Sequence, residues 1–211
     1  MDIIKELPKE YKATPIDLKD MKHVKAGIIS FDISAYDVED IGRISILKGK
    51  AMMGLMKMDT VMVTSLRHDS PLFSYDRIHA MGNDTLIIEI YNTMKERHSY
   101  PELLNIKKKY GYLKPHAMKE NWYDSLRMEE SISLKDRHHR DMDELFSSYL
   151  SAFLKNVKKD KKIETEEKKR RHAVYVNGLL KEGGPSTDVF LKAIGKKKTE
   201  FLFKSILFGI E

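Results

Sequence analysis

Two aspartates are the groups in this sequence most suited to proton chemistry. Asp59 lies in Met56-Lys57-Met58-Asp59-Thr60-Val61 and Asp76 in Phe73-Ser74-Tyr75-Asp76-Arg77-Ile78, both within runs that favour a β-strand. With an even-numbered loop between the two strands, pleat parity puts both carboxylates on one face. A two-residue loop at Arg67-His68 sets them directly opposite. Two carboxylates facing one cavity repel, and loss of solvent adds to the cost, so one is driven toward the neutral acid. An acid kept protonated near neutral pH can hand its proton to a substrate. The competing use is structural: capping a turn, or pairing with Lys57 or Arg77.

Other polar residues point less clearly to chemistry. His138 and His139 adjoin Arg137 and Arg140, but neighbours on a helix point about 100° apart and rarely share one metal. His79 stands alone on its strand, where hydrogen bonding within the fold is the usual role. Met52, Met53, Met56, Met58 and Met62 suit an adaptable apolar wall. No dinucleotide-binding glycine motif, P-loop, zinc-protease helix or nucleophile elbow is present. Without cysteine the chain forms no disulfide and holds no Cys-ligated zinc or iron–sulfur cluster.

The elements that must position these groups fall into two halves. Runs over 27–38, 52–66, 72–81 and 85–92 read as strands, separated by His68-Asp69-Ser70-Pro71 and Gly82-Asn83-Asp84. Such short turns imply antiparallel pairing. Leu86, Ile88 and Ile90 face one way while Ile87 and Tyr91 face the other, so this strand needs cover on both sides. Leu145, Tyr149, Phe153 and Val157 then recur every fourth residue, the stripe of a buried helix with Asp141 or Asp143 as cap. A second helix is expected over 164–180, stopped by Gly183-Gly184-Pro185, and a third from near Ser186, with Ser186 or Thr187 as cap, to Gly195, followed by an apolar tail. Ser131 to Lys135 adds a further strand. A single domain over residues 1–211 is expected, since no linker or repeat divides the chain.

Composition narrows the classes. At 41% hydrophobic and 33% charged residues, the 211-residue chain can bury a real core. No apolar run approaches the roughly 20 residues of a membrane span. The start, Met1-Asp2-Ile3-Ile4-Lys5-Glu6, lacks the apolar core of a signal peptide, so a cytoplasmic protein with no membrane partner is expected. The net charge of +6 is concentrated: nine basic against four acidic residues between Lys155 and Arg171, with Lys196, Lys197 and Lys198 beyond. Such a face attracts phosphate backbones, anionic lipids or an acidic protein partner, and charge alone does not choose among them. Aromatic residues are not interleaved with the basic run as stacking platforms, which argues against nucleic acid.

Several segments together resemble the ferredoxin-dependent bilin reductases. Ser70-Pro71-Leu72-Phe73-Ser74-Tyr75-Asp76 is similar to a central-strand segment of that family that closes on a proton-donating Asp. Asp59, seventeen residues upstream, stands where phycocyanobilin-forming members carry a His. Leu86 to Thr93, Trp122 to Lys135 and Phe190 to Phe208 are similar to later strands and the closing helices, so the resemblance spans about Tyr36 to Phe208. An acid that some members place further upstream falls near Leu47 or Lys48 and is missing.

The resemblance implies an α/β fold, a three-layer α/β/α sandwich with a central, mainly antiparallel sheet of about six strands. It also implies reduction of a biliverdin-like open-chain tetrapyrrole in a pocket between the sheet and the C-terminal helices. Asp76 and Asp59 would be catalytic, and Thr85, Lys135 and Asp188 would be substrate-binding. No cofactor would be bound by the chain, because electrons would come from an external reduced ferredoxin, or from a similarly acidic flavodoxin. The alternative is a non-reducing tetrapyrrole-binding or carrier protein on the same scaffold.

Overall fold

The structure, a computed structural model, describes residues 11–117 and 120–211. Eight strands form one sheet: β1 (Ala13–Pro15), β2 (His23–Ala26), β3 (Ile29–Val38), β4 (Gly42–Ala51), β5 (Met56–Ser65), β6 (Leu72–Ala80), β7 (Asn83–Tyr91) and β8 (Ile132–Asp136). The order is β1-β3-β4-β5-β6-β7-β8, with β2 also on β3, and every described pairing is antiparallel. The sheet therefore exceeds the six strands expected. The largest addition is β4, whose Ile44 and Ile46 alternate with Arg43 and Ser45 on opposite faces of the pleat.

Four α-helices accompany the sheet: α1 (Pro101–Lys109), α2 (His139–Lys159), α3 (Thr165–Glu182) and α4 (Pro185–Phe201). A π-helical turn, Leu202–Leu207, completes the C-terminal segment. Gly183, at φ 86°, ends α3 where the glycine pair foretold a stop. Pro185 then opens α4 at a position needing no backbone donor, with Gly184 rather than Ser186 or Thr187 as its N-cap. Gly195, at φ 76°, interrupts α4 where a helix end was expected, and the chain resumes helical structure beyond it.

Strand alternation divides the apolar side chains between two cores. Val61, Val63, Phe73, Tyr75, Leu86, Ile88 and Ile90 join the α2 stripe, whose Leu145, Tyr149, Phe153 and Val157 are all at 0% exposure. Tyr75 stacks on Phe146 at 3.8 Å between ring centroids. Phe31, Ile33, Leu47, Met62, Leu72 and Tyr91 form the second core with Tyr175, Val176 and Leu179 of α3, Phe190 of α4, and Phe203 and Phe208. Each such side chain, fully buried, contributes roughly 1.5–3 kcal/mol of transfer free energy.

Polar groups lock the C-terminal turn onto β4. The buried Arg43 donates through Nη1 to the Ser205 and Ile206 carbonyls at 2.6 and 2.5 Å, and the Ser45 hydroxyl donates to the Leu207 carbonyl at 2.9 Å. These carbonyls end a helix and would otherwise lack partners.

Trp122, the sole tryptophan, packs across Gly178 of α3 and donates its indole N–H to the Gly183 carbonyl at 3.0 Å. A Cβ at residue 178 would lie 2.2 Å from the indole ring. Replacing a mid-helix glycine by alanine ordinarily gains roughly 0.5–1 kcal/mol. Overpacking costs about 1–3 kcal/mol and outweighs that gain here. Gly178→Ala is therefore expected to lower the melting temperature and red-shift Trp122 fluorescence, both read in one thermal scan.

Candidate functional site

The register of β5 on β6 decides what surrounds Asp76. Thr64 pairs with Leu72, leaving an odd number of residues, 65–71, in the connection, and this brings Thr60 opposite Asp76 and Arg77 opposite Asp59. The two aspartates therefore point to opposite faces, which corrects the expectation of a shared cavity. On β6, Phe73 and Tyr75 belong to the α2 core and Leu72 to the second core, so Asp76 faces the second core. On β5, Val61 and Val63 place Asp59 on the α2 face.

Asp76 has few polar neighbours on its own face. The Thr60 hydroxyl donates to its Oδ1 at 2.5 Å. Glu89 of β7 lies on the same face, paired with Ser74 of β6. Burial pushes the Asp76 carboxyl up to about 6; the Thr60 hydrogen bond works against this and the Glu89 charge adds to it. Glu89 is itself held by Arg127, whose Nε and Nη2 donate to its Oε1 at 2.9 and 2.7 Å, while Arg127 also pairs with Asp124 at 2.9 Å. Tyr91, Tyr123 and Tyr175 pack beside this network, Tyr91 4.4 Å from Tyr175 between centroids. Glu89 went unread in the sequence although a signal existed. A charge inside a strand buried on both faces needs a partner.

Beyond Asp76, toward the β6–β7 turn, this face of the sheet is less covered. Met58, Ile78, Thr85 and Ile87 are only half-buried and Lys135 is exposed, whereas Met62, Leu72 and Tyr91 are buried under the C-terminal segment. Ile78 pairs with Thr85 and Thr85 with Lys135, so both expected substrate-binding residues on the sheet share the Asp76 face. Asp188 lies apart, exposed on the first turn of α4 and close to Gly183.

The basic run is not a uniform face. Lys168 is wholly buried: its ammonium donates to the Ser70 and Thr93 carbonyls at 2.5 and 2.9 Å and lies 3.6 Å from Asp69. Burial draws its pKa down to about 8. Asp69 in turn accepts the backbone N–H groups of Lys95 and Glu96, fixing the loop that feeds β6. Arg170 and Arg171 pair with Glu167, Lys169 with Glu166, and Lys161 with Glu96. Lys155, Lys159, Lys162 and Lys197 remain exposed.

On the opposite face, Asp59 lines a cavity of about 280 Å³ with Lys57, Arg77, His79, Asp84 and His139. His79 and His139 both bond to Asp84, at 2.6 and 2.7 Å through Nδ1. His138, which stands before α2 as its N-cap where Asp141 or Asp143 was expected, instead turns to Asp136 at 2.8 Å, so the adjacent histidines are split. Among the described residues no helix is long and apolar enough to cross a membrane.

No protein-family model and no curated protein matches this sequence. The fold does have a solved counterpart: its mainly antiparallel α/β architecture is the one seen in a bilin-binding synthase. That structure is phytochromobilin synthase from tomato, solved in complex with biliverdin. The similarity covers 98% of this chain and 80% of that one, with a TM-score of 0.77 and 12% sequence identity. The bilin-reductase resemblance is thereby supported at the level of fold.

The raised pKa of Asp76 has a consequence for stability. Its folded value of about 6 lies above the ordinary 3.8, so the folded state holds this proton more tightly than the unfolded chain. Stability is then fully present below about pH 4 and declines as pH rises toward 6. Asp76→Asn removes the ionising group, and is expected to be more stable than the parent at pH 7–8 by about 1–2 kcal/mol, a figure reduced for partial exposure. Thermal melts across pH check this: the advantage should vanish near pH 4.

Proposed function

We propose that this chain binds a biliverdin-like open-chain tetrapyrrole on the Asp76 face of the sheet and reduces it by sequential electron and proton transfers. One observation carries the proposal: a carboxyl group lifted to about 6 by burial stands beside a half-covered apolar floor. The same fold, in another protein, has been solved with biliverdin. The two cores become the interlayer spaces of a three-layer α/β/α sandwich, with the tetrapyrrole sharing the second one with the C-terminal helices.

Each two-electron reduction of a bilin consumes two electrons and two protons. Electrons would arrive singly from an external reduced ferredoxin, and Asp76 would supply a proton as negative charge builds on the tetrapyrrole. At pH 7 a group with a pKa near 6 is protonated in a minority of molecules, yet it is matched for transfer in both directions. An approaching electron-rich substrate raises that fraction further. Thr60 orients the carboxyl through its hydrogen bond, while Glu89, fixed by Arg127, keeps negative charge nearby and favours the protonated form. Lys135 and Thr85 would hold the propionates by charge-assisted hydrogen bonds at the open side of the face. Asp59, on the other face, is left out of this proton path. The exposed Lys155, Lys159, Lys162 and Lys197 would favour encounter with an acidic electron donor.

Absorbance titration with biliverdin, followed by addition of reduced ferredoxin, tests the proposal. Asp76→Asn is expected to keep the binding spectrum and to reduce biliverdin about 10²–10⁴-fold more slowly, with a radical signal building up in electron paramagnetic resonance. Binding without any reduction by the unmodified chain would favour the carrier alternative. No spectral change at all would remove the tetrapyrrole from the account.

A further inference from the structure

We propose that His79, Asp84 and His139 form a site for a divalent transition-metal ion of the zinc class, on the sheet face opposite Asp76. The three residues come from three elements: β6, β7 and the first turn of α2. Their donor atoms all lie within 4.8 Å of one another. The imidazoles are 42% and 44% exposed and converge on a carboxylate at only 1% exposure. They open into the cavity of about 280 Å³ that Asp59 and Lys57 also line, which leaves room for a water or a further oxygen ligand.

The division of partners around Asp84 favours a cation. Arg77 donates to Oδ2 through Nε at 2.9 Å and also through Nη2, and His139 bonds to the same oxygen. Oδ1 has His79 as its hydrogen-bond partner among the described residues, leaving a lone pair for a metal. Arg77, which lines the same cavity and also pairs with Asp143, would then orient the ligating carboxylate through Oδ2, as outer partners of metal ligands do. The carboxylates of Asp59, Asp84 and Asp143 offset the charges of Arg77 and Lys57, so a dication does not meet an uncompensated positive field.

Two imidazoles and one carboxylate suit zinc, cobalt, nickel or copper better than magnesium or calcium. Metal–ligand distances of about 2.0–2.2 Å require donors roughly 3–3.5 Å apart. From the present contacts of 2.6 and 2.7 Å, metal binding requires a small withdrawal of two half-exposed rings and release of each Nδ1 proton, to Nε2 of the same ring or to solvent.

The test is a titration of the whole chain with Co²⁺, read by visible absorption, with Zn²⁺ as competitor and the melting temperature as a second readout. The expected result is a saturable one-to-one band that Zn²⁺ abolishes, together with a Zn²⁺-dependent rise in melting temperature. The band should be lost in His79→Ala and in His139→Ala, each checked for intact folding by circular dichroism. It should persist in His138→Ala, whose ring turns to Asp136 instead. No band with metal in excess, or a band unchanged in the His79→Ala, His139→Ala double variant, would overturn the site and leave the cluster an ion-pair network.

Discussion

A sheet covered on both faces cannot tolerate an unpaired charge, and the polar architecture of this protein follows from that constraint. Strands β4 to β7 feed apolar side chains into two cores, so a charged residue that points into either core is desolvated and needs a partner. Arg43 is answered by Asp37 and by carbonyls of the C-terminal turn, Glu89 by Arg127, and Asp84 by Arg77 and two histidines. Asp76 is met differently. Its hydrogen-bond partner among the described residues is the neutral Thr60 hydroxyl, and burial lifts its carboxyl to about 6. A charge that the fold does not compensate is a proton that chemistry can use.

The face on which that proton appears depends on loop parity. Residues 65–71 form an odd connection, held by the buried Lys168 ammonium on Ser70 and by Asp69 on the backbone of Lys95 and Glu96. A change of one residue there would turn either Asp59 or Asp76 to the other side of the sheet. The same parity sends Arg77 and His79 toward α2, where with Asp84 they meet His139. Two polar clusters of different character thus stand back to back across one sheet.

Much of the scaffold was legible because its signals are local. The fourfold spacing from Leu145 to Val157 and the glycines at 183 and 195 report periodicity and backbone conformation directly. Strand β4 carried its alternation at Ile44 and Ile46 in plain sight, yet its lysines at 48 and 50 blurred the pattern. The candidate site was legible only in part. Asp76 could be picked out, and Thr85 and Lys135 do share its face. Pairing it with Asp59 failed because the turn chemistry at His68-Asp69-Ser70-Pro71 announces a loop without fixing its length. Lys168 illustrates the same limit, since within a basic run nothing local distinguishes the one lysine that a distant loop will bury.

The most direct measurement of the central claim is an NMR titration of the Asp76 carboxyl carbon in the free chain and with biliverdin added. The account predicts a midpoint near 6 in the free chain, against 3.8 for an ordinary aspartate, and a further upward displacement when biliverdin binds. A midpoint near 3.8 that biliverdin leaves unmoved would contradict it.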